Sequence, residues 1–308
     1  LTIDLDHYQA SMALHLDTGA LYRVGDLRFR QSGAVRLDDS LLRGFVTFKP
    51  DAAVTSALTL NLQTALVGSG FFKMVEVEPV MAEARNGRVP LLVNLVTASP
   101  SKYRFGAGYG TDTGPRGSVN HERRINARGH TLGLTAQGAA ANSSAEARYR
   151  IPLSPPIDHS LVISSGAAEE TTDSSESRKI HAGIAHTQLR RGWQETLGIT
   201  AEYEDYAVAD VRSTSTLLYP GAGWTRTVSD HPLFPTHGWR AGLNLLGASE
   251  SLGSDVSFVQ ARAHAARPDR RPCIARLSLV RRPICGHRRI CRKQAIAAAG
   301  ACCRPIGG

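Results

Sequence analysis

The stretch Lys102-Tyr-Arg-Phe-Gly-Ala-Gly-Tyr-Gly-Thr-Asp-Thr-Gly-Pro-Arg-Gly117 marks a change of pattern, from mixed helices and strands before it to strands alone after it. In an extended chain Tyr103, Phe105, Ala107 and Tyr109 share one face, and Arg104, Gly106, Gly108 and Gly110 share the other. Aromatics opposite near-absent side chains suit a wall that meets lipid outside and keeps its inner face thin. The closing Thr-Asp-Thr-Gly-Pro-Arg-Gly117 is rich in turn formers and predicts that the next segment folds back.

Downstream, strands are predicted at short, even intervals: 118–125, 130–139, 144–152, 159–168, 178–189, 193–205, 213–228, 238–248 and 256–265. Alternation is plainest in Leu132/Leu134/Ala136, Ile180/Ala182/Ile184 and Leu197/Ile199/Ala201/Tyr203. Long strands that are apolar on one face and small or polar on the other are the cumulative signal of an outer-membrane barrel. The connections fall into two alternating classes. Ala141-Asn-Ser, Glu169 to Glu176, Ala209-Asp-Val-Arg and Ser249 to Asp255 are acidic or polar; Asn126 to Gly129, Leu153 to Asp158, Arg190-Arg-Gly and Asp230 to His237 are rich in Pro, Gly and Arg. A meander with two distinct sides produces that alternation, and a soluble β-sandwich is the competing architecture.

Upstream, Leu1 to Asp6 and Ser11 to Asp17 read as two short strands about a turn at His7 to Ala10, the last hairpin of a preceding domain. The opening on Leu1-Thr-Ile-Asp reads as mid-strand and predicts a fragment truncated at its N-terminus. A strand from Tyr22 is followed by helical spacing at Leu37, Leu41, Leu42 and Phe45, and a second helix is predicted from Ser56 to Leu66. Strands at 71–80 and 89–96 complete a β-α-α-β-β unit, with both helices expected on one face of a small sheet.

The formal charge of +9 belongs to one end of the chain. Residues 267–308 hold ten Arg and one Lys against Asp269 alone, and the 266 residues before them are close to neutral. All five cysteines, Cys273, Cys285, Cys291, Cys302 and Cys303, also lie in that tail, without zinc spacing. No apolar run is long enough for a membrane helix. Eleven cations raise the reading of a soluble nucleic-acid binder, but the tail has no aromatic residue and no periodicity.

The segments Gly108 to Gly117, Tyr149-Arg-Ile-Pro152, Leu218-Tyr-Pro-Gly-Ala-Gly-Trp-Thr-Arg226, Asp230-His-Pro and Pro235-Thr-His-Gly238 carry a resemblance. The chain resembles the outer-membrane subunit of the bacterial translocation and assembly module (TamA-type). That family belongs to the POTRA-plus-β-barrel superfamily of surface-antigen-type barrels that assemble or secrete outer-membrane proteins. The resemblance implies residues 1–18 as the end of one POTRA domain, 19–100 as an α+β POTRA domain, and 101–266 as the first ten or so strands of an incomplete antiparallel transmembrane barrel. It implies a Gram-negative outer-membrane location with the N-terminal part in the periplasm, and the acidic connections on the extracellular side. The expected partners are unfolded outer-membrane or autotransporter-like clients, an inner-membrane-anchored periplasmic subunit and outer-membrane lipid, with no nucleic acid.

The family's barrel has more strands, and a lumen loop containing Ser-Leu-Arg and Asp-Arg-Ser-Val-Arg-Gly that is absent here. With suitable codons, Ile296-Ala-Ala and Arg304-Pro-Ile-Gly yield those two segments one nucleotide later, so 267–308 is expected to be an out-of-frame, non-native tail. The implied function is an insertase-like assembly or translocation factor without catalytic chemistry. A polypeptide-secreting or passive pore is the alternative.

Two sites follow from these readings. Gly106, Gly108 and Gly110 lie on a weakly pairing seam strand where client strands would add; glycines that merely make room for bulky neighbours are the plainer account. Phe72, Val75 and Val77 lie on an edge strand of the small sheet that is open to β-augmentation, or one whose charged neighbours simply protect it. The repeated glycines of 106–110 lack the following helix of a dinucleotide loop, and no catalytic, metal or cofactor residue is assigned.

Overall fold

The computed structural model describes residues 2–4, 9–11, 20–111, 114–172, 174–208, 211–230, 236–267, 273–284 and 292–301. Before residue 20 and after 266 it is the backbone that is described. Two units separate, one formed by Leu1–Ser32 with Val46–Val96 and the other by Gly33–Phe45 with Thr97–Gly308.

In the smaller unit β1 (Thr2–Asp4) pairs antiparallel with β2 (Gln9–Ser11). The hairpin is there, but its second arm starts at Gln9, inside the predicted turn. β3 (Arg23–Ser32), β4 (Phe72–Pro79) and β5 (Arg88–Thr97) form a three-stranded sheet in the order β3-β5-β4, with β3 and β5 parallel. The central strand supplies the core: Val89, Leu91, Val93 and Leu95 are buried, as its unbroken alternation requires. The helix α2 (Ser56–Gly68) starts where the Thr55 hydroxyl accepts the Leu58 N–H at 3.2 Å, and buries Leu62 and Leu66.

The other predicted helix, α1 (Asp39–Gly44), departs from expectation by belonging to the larger unit. Six residues are too few to hold a helix by themselves, and tertiary partners decide where it docks. The Asp38 N–H donates to the Ala127 carbonyl at 2.9 Å, the Arg128 guanidinium stands 3.9 Å from the Asp38 carboxylate, and Gly44 abuts Pro156. α1 thus rests on two of the Pro/Arg-rich turns and marks their common side of the sheet.

Among the described residues the larger unit is a meander of twelve antiparallel strands. In chain order these are β6 (Ser101–Gly110), β7 (Gly114–Arg124), β8 (Thr131–Ala139), β9 (Asn142–Pro152), β10 (Ser160–Thr171) and β11 (Ser175–Arg190). They continue as β12 (Trp193–Val208), β13 (Val211–Ser229), β14 (Gly238–Ala248), β15 (Phe258–Arg267), β16 (Cys273–Ile284) and β17 (Arg292–Ala301). Each pairs with its sequence neighbours, and among the described residues β6 and β17 do not pair with one another, so the sheet is open.

Three differences from the sequence reading stand out. Gly114-Pro-Arg-Gly117, read as turn, is already strand β7, with Pro115 opposite Tyr109. The acidic connection 169–176 is largely strand, because Arg178 joins Glu169 at 3.0 Å across the ladder and Glu176 at 3.1 Å along its own strand. The tail contributes β16 and β17, since a ladder edge on β15 accepts extended backbone whatever side chains it carries.

Candidate strand-pairing site

Cross-strand partners share a face, so the register sorts the large sheet into two. One row runs Phe105, Val119, Ala136, Ala145, Ala167, Ile180, Tyr203; another joins Ile163, Ile184, Ile199 and Pro220. These side chains are open: Phe105 and Tyr109 are each 76% exposed and Tyr103 59%, so the face is an exposed apolar surface of the kind that marks an interaction site. The opposite face carries Arg104, Ser118, Asn120, Glu122, Thr135 and Glu146. There Asn120 donates to the Thr135 hydroxyl at 2.7 Å, and Arg104 stands 3.7 Å from Glu122.

Gly106, Gly108 and Gly110 all lie on β6, on that polar face, and β6 is the sheet edge. The structure gives two of them a local cause. A Cβ on Gly106 would stand 2.6 Å from the Ser118 hydroxyl, and one on Gly108 would stand 3.0 Å from Nε of Arg116, so β7 lays its side chains over β6. Gly110 sits opposite Gly114, whose φ of +70° lets the chain reverse. The thin inner face is therefore made by the neighbouring strand's need for room, and the free ladder of β6 is a separate feature on its other side.

Phe72, Val75 and Val77 lie on β4, an edge of the three-stranded sheet. Phe72 and Val75 are buried and Val77 is half-buried, so all three serve the core more than a partner. From α2, Gln63 Nε2 donates to the Val75 carbonyl at 3.0 Å. Lys73, Glu76 and Glu78 project outward, and the Glu76 carboxylate beside it raises the pKa of Glu78. Those exposed charges guard the edge. Among the described residues no cluster of three or more His, Cys, Asp or Glu is placed to hold a metal ion, and no helix is long and apolar enough to cross a membrane.

Two constellations escaped the sequence reading. Ser254, nearly buried, uses its hydroxyl to accept the Leu218 N–H at 2.8 Å and donate to the Leu218 carbonyl at 3.0 Å, while the Asp255 N–H reaches the Thr216 carbonyl at 2.9 Å. The 249–257 connection thereby takes the place of a ladder partner where β13 runs past the end of β14. At the turn side, Trp193, Arg226 and Trp239 gather on the apolar face. A Trp one position from a Gly-containing turn, at 193 and again at 239, was the signal in the sequence.

No family model matches the chain. Among solved structures it is similar to BamA from Haemophilus ducreyi lacking POTRA domains 1–3, with a TM-score of 0.65 and 16% identity over 86% of this chain. It is more loosely similar to CdiB from Acinetobacter baumannii, with a TM-score of 0.48 and 11% identity over 85% of this chain and 52% of that one. CdiB from Escherichia coli gives a TM-score of 0.46 and 10% identity, over 89% of this chain and 71% of that one. The chain spans 56% of the BamA structure's length. The likeness is one of fold: the large open antiparallel sheet is similar to that of the BamA structure.

Proposed function

We propose that this chain is part of an outer-membrane protein assembly or translocation factor of the TamA type. The observation that carries the reading is the position of β6: the first strand of a two-faced BamA-like sheet, with one ladder free among the described residues. Such an edge offers unpaired N–H and C=O groups to any extended segment, so it templates an incoming strand without catalytic residues or a cofactor. Within 19–100, whose elements follow the order β-α-α-β-β, the part outside α1 acts as a periplasmic POTRA domain that gathers unfolded outer-membrane or autotransporter-like clients. An inner-membrane-anchored partner subunit reaches this periplasmic side, and the apolar face of the sheet meets outer-membrane lipid.

The test places a cysteine in β6 by Gly108→Cys and another on the polar face of the sheet interior by Thr135→Cys, each in cells expressing a radiolabelled client. Crosslinks from residue 108 along a client strand, in a ladder of alternating positions, support templating at the edge. Crosslinks from residue 135 alone, with a large single-channel conductance, would defeat it in favour of a pore through the lumen.

A further inference from the structure

On the apolar face of the large sheet, the strand ends beside turn 191–192, at 193, 226 and 239, carry a different chemistry. Trp193 opens β12 and Trp239 lies one residue into β14, with ring centroids 6.4 Å apart and planes inclined at 57°. Arg226 of β13 places its guanidinium carbon 6.0 Å from the Trp193 ring and 5.6 Å from the Trp239 ring. Arg190 is the register partner of Trp193 and adds a second cation to the same face. Gly192, at φ +78°, lies under the guanidinium, where a Cβ would stand 3.6 Å from its carbon.

The carboxylates nearest in sequence and register are already engaged. Glu195 accepts from Gln188 Nε2 at 3.2 Å, and Asp230 accepts from Thr236 and His237. Among the described residues no ion pair is formed by Arg226. Beyond the cluster, Leu197, Leu243 and Leu245 continue the same face as an apolar surface. Two indoles hold a planar cation where that apolar surface ends, and its donors can grip two oxygens at once.

We propose that Arg226, with Arg190 and the flanking indoles of Trp193 and Trp239, binds the phosphate of an anionic phospholipid whose acyl chains lie along Leu197, Leu243 and Leu245. The site rests on the membrane reading given above. It belongs to β11–β14, inside the sheet and away from both edges, so it does not require a closed barrel.

The full 308-residue chain in dodecyl maltoside micelles, which cover the apolar face and both sheet edges, is titrated with phosphatidylglycerol carrying brominated acyl chains while tryptophan fluorescence is read. Saturable quenching is expected, weakened roughly tenfold by Arg226→Gln and only partly restored by Arg226→Lys, which keeps the charge and loses the two-oxygen grip. Arg104→Gln, on the opposite face, leaves the curve unchanged. Brominated diacylglycerol, which has the chains and no phosphate, quenches without saturation and equally in all variants. The proposal is overturned if Arg226→Gln binds the lipid as wild type does, if diacylglycerol saturates equally, or if inorganic phosphate at the same concentration displaces the lipid. Failure of the membrane reading looks different: the chain then stays soluble and monodisperse after the detergent is removed and takes up neither lipid.

Discussion

Single residues in this chain do work that neither periodicity nor composition reveals, and Asp230 is the clearest case. Its carboxylate accepts the N–H groups of Thr236 and His237, each at 3.0 Å, and the Thr236 hydroxyl, with the His237 imidazole 3.6 Å away. The Thr236 hydroxyl first, then the His237 and Thr236 N–H groups, favour the charged form and hold its pKa well below the ordinary carboxylate range. The sign follows: a depressed folded pKa stabilises the turn above about pH 4, the unfolded carboxylate value, and that stability is lost as pH falls toward the folded value. Asp230→Asn should therefore speed exchange of the Thr236 and His237 amides at pH 7, and the difference from wild type should vanish in strong acid. Gly33 is a second such residue. Its φ of +114° and the Thr97 hydroxyl in the path of any Cβ make Gly33→Ala costly by about 1–3 kcal/mol, read as a lowered thermal midpoint in micelles.

At the scale of elements, the loop 249–257 behaves as a partial strand. Ser254 satisfies both backbone groups of Leu218, and Asp255 those of Thr216, where β14 has left the ladder. Ser254→Ala strands two polar groups at a nearly closed position, which costs about 1–3 kcal/mol locally. Hydrogen exchange over residues 214–219 should rise while that of β12 at 196–201 stays unchanged; unchanged exchange at both would show that water replaces the hydroxyl. This element scale is also where the sequence reading was strongest and weakest. Alternation such as Leu197/Ile199/Ala201 located strand centres because two-faced burial imposes a period of two on every strand. Strand ends at Thr171, Ser175 and Val211 lay beyond the predicted limits because cross-strand ion pairs such as Arg212–Asp205, at 3.0 Å, keep a ladder going through polar residues. The placement of α1 was not legible for a similar reason. Its partners Ala127 and Pro156 lie over 80 residues away, and no local pattern encodes them.

For the molecule as a whole, the decisive feature is a sheet of twelve strands that, among the described residues, leaves β6 and β17 without each other. In hydrocarbon each unpaired N–H or C=O costs several kcal/mol, so the outward-facing backbone groups along 103–110 cannot remain bare beside lipid. Tyr103, Phe105 and Tyr109 draw that edge toward apolar surroundings, and the backbone beside them then demands a partner. Client strands meet the demand in the proposed function; without clients, a second copy of the chain is the available source. The chain refolded alone in micelles should migrate identically on gels with and without boiling, as no closed barrel forms. It should also associate with rising concentration, and Gly108→Cys should give disulfide-linked pairs whereas Leu197→Cys, in the sheet interior, should not. A monomer with heat-dependent mobility and no pairing through residue 108 would mean that the sheet closes on itself, and the templating edge would then have to be opened before a client could use it.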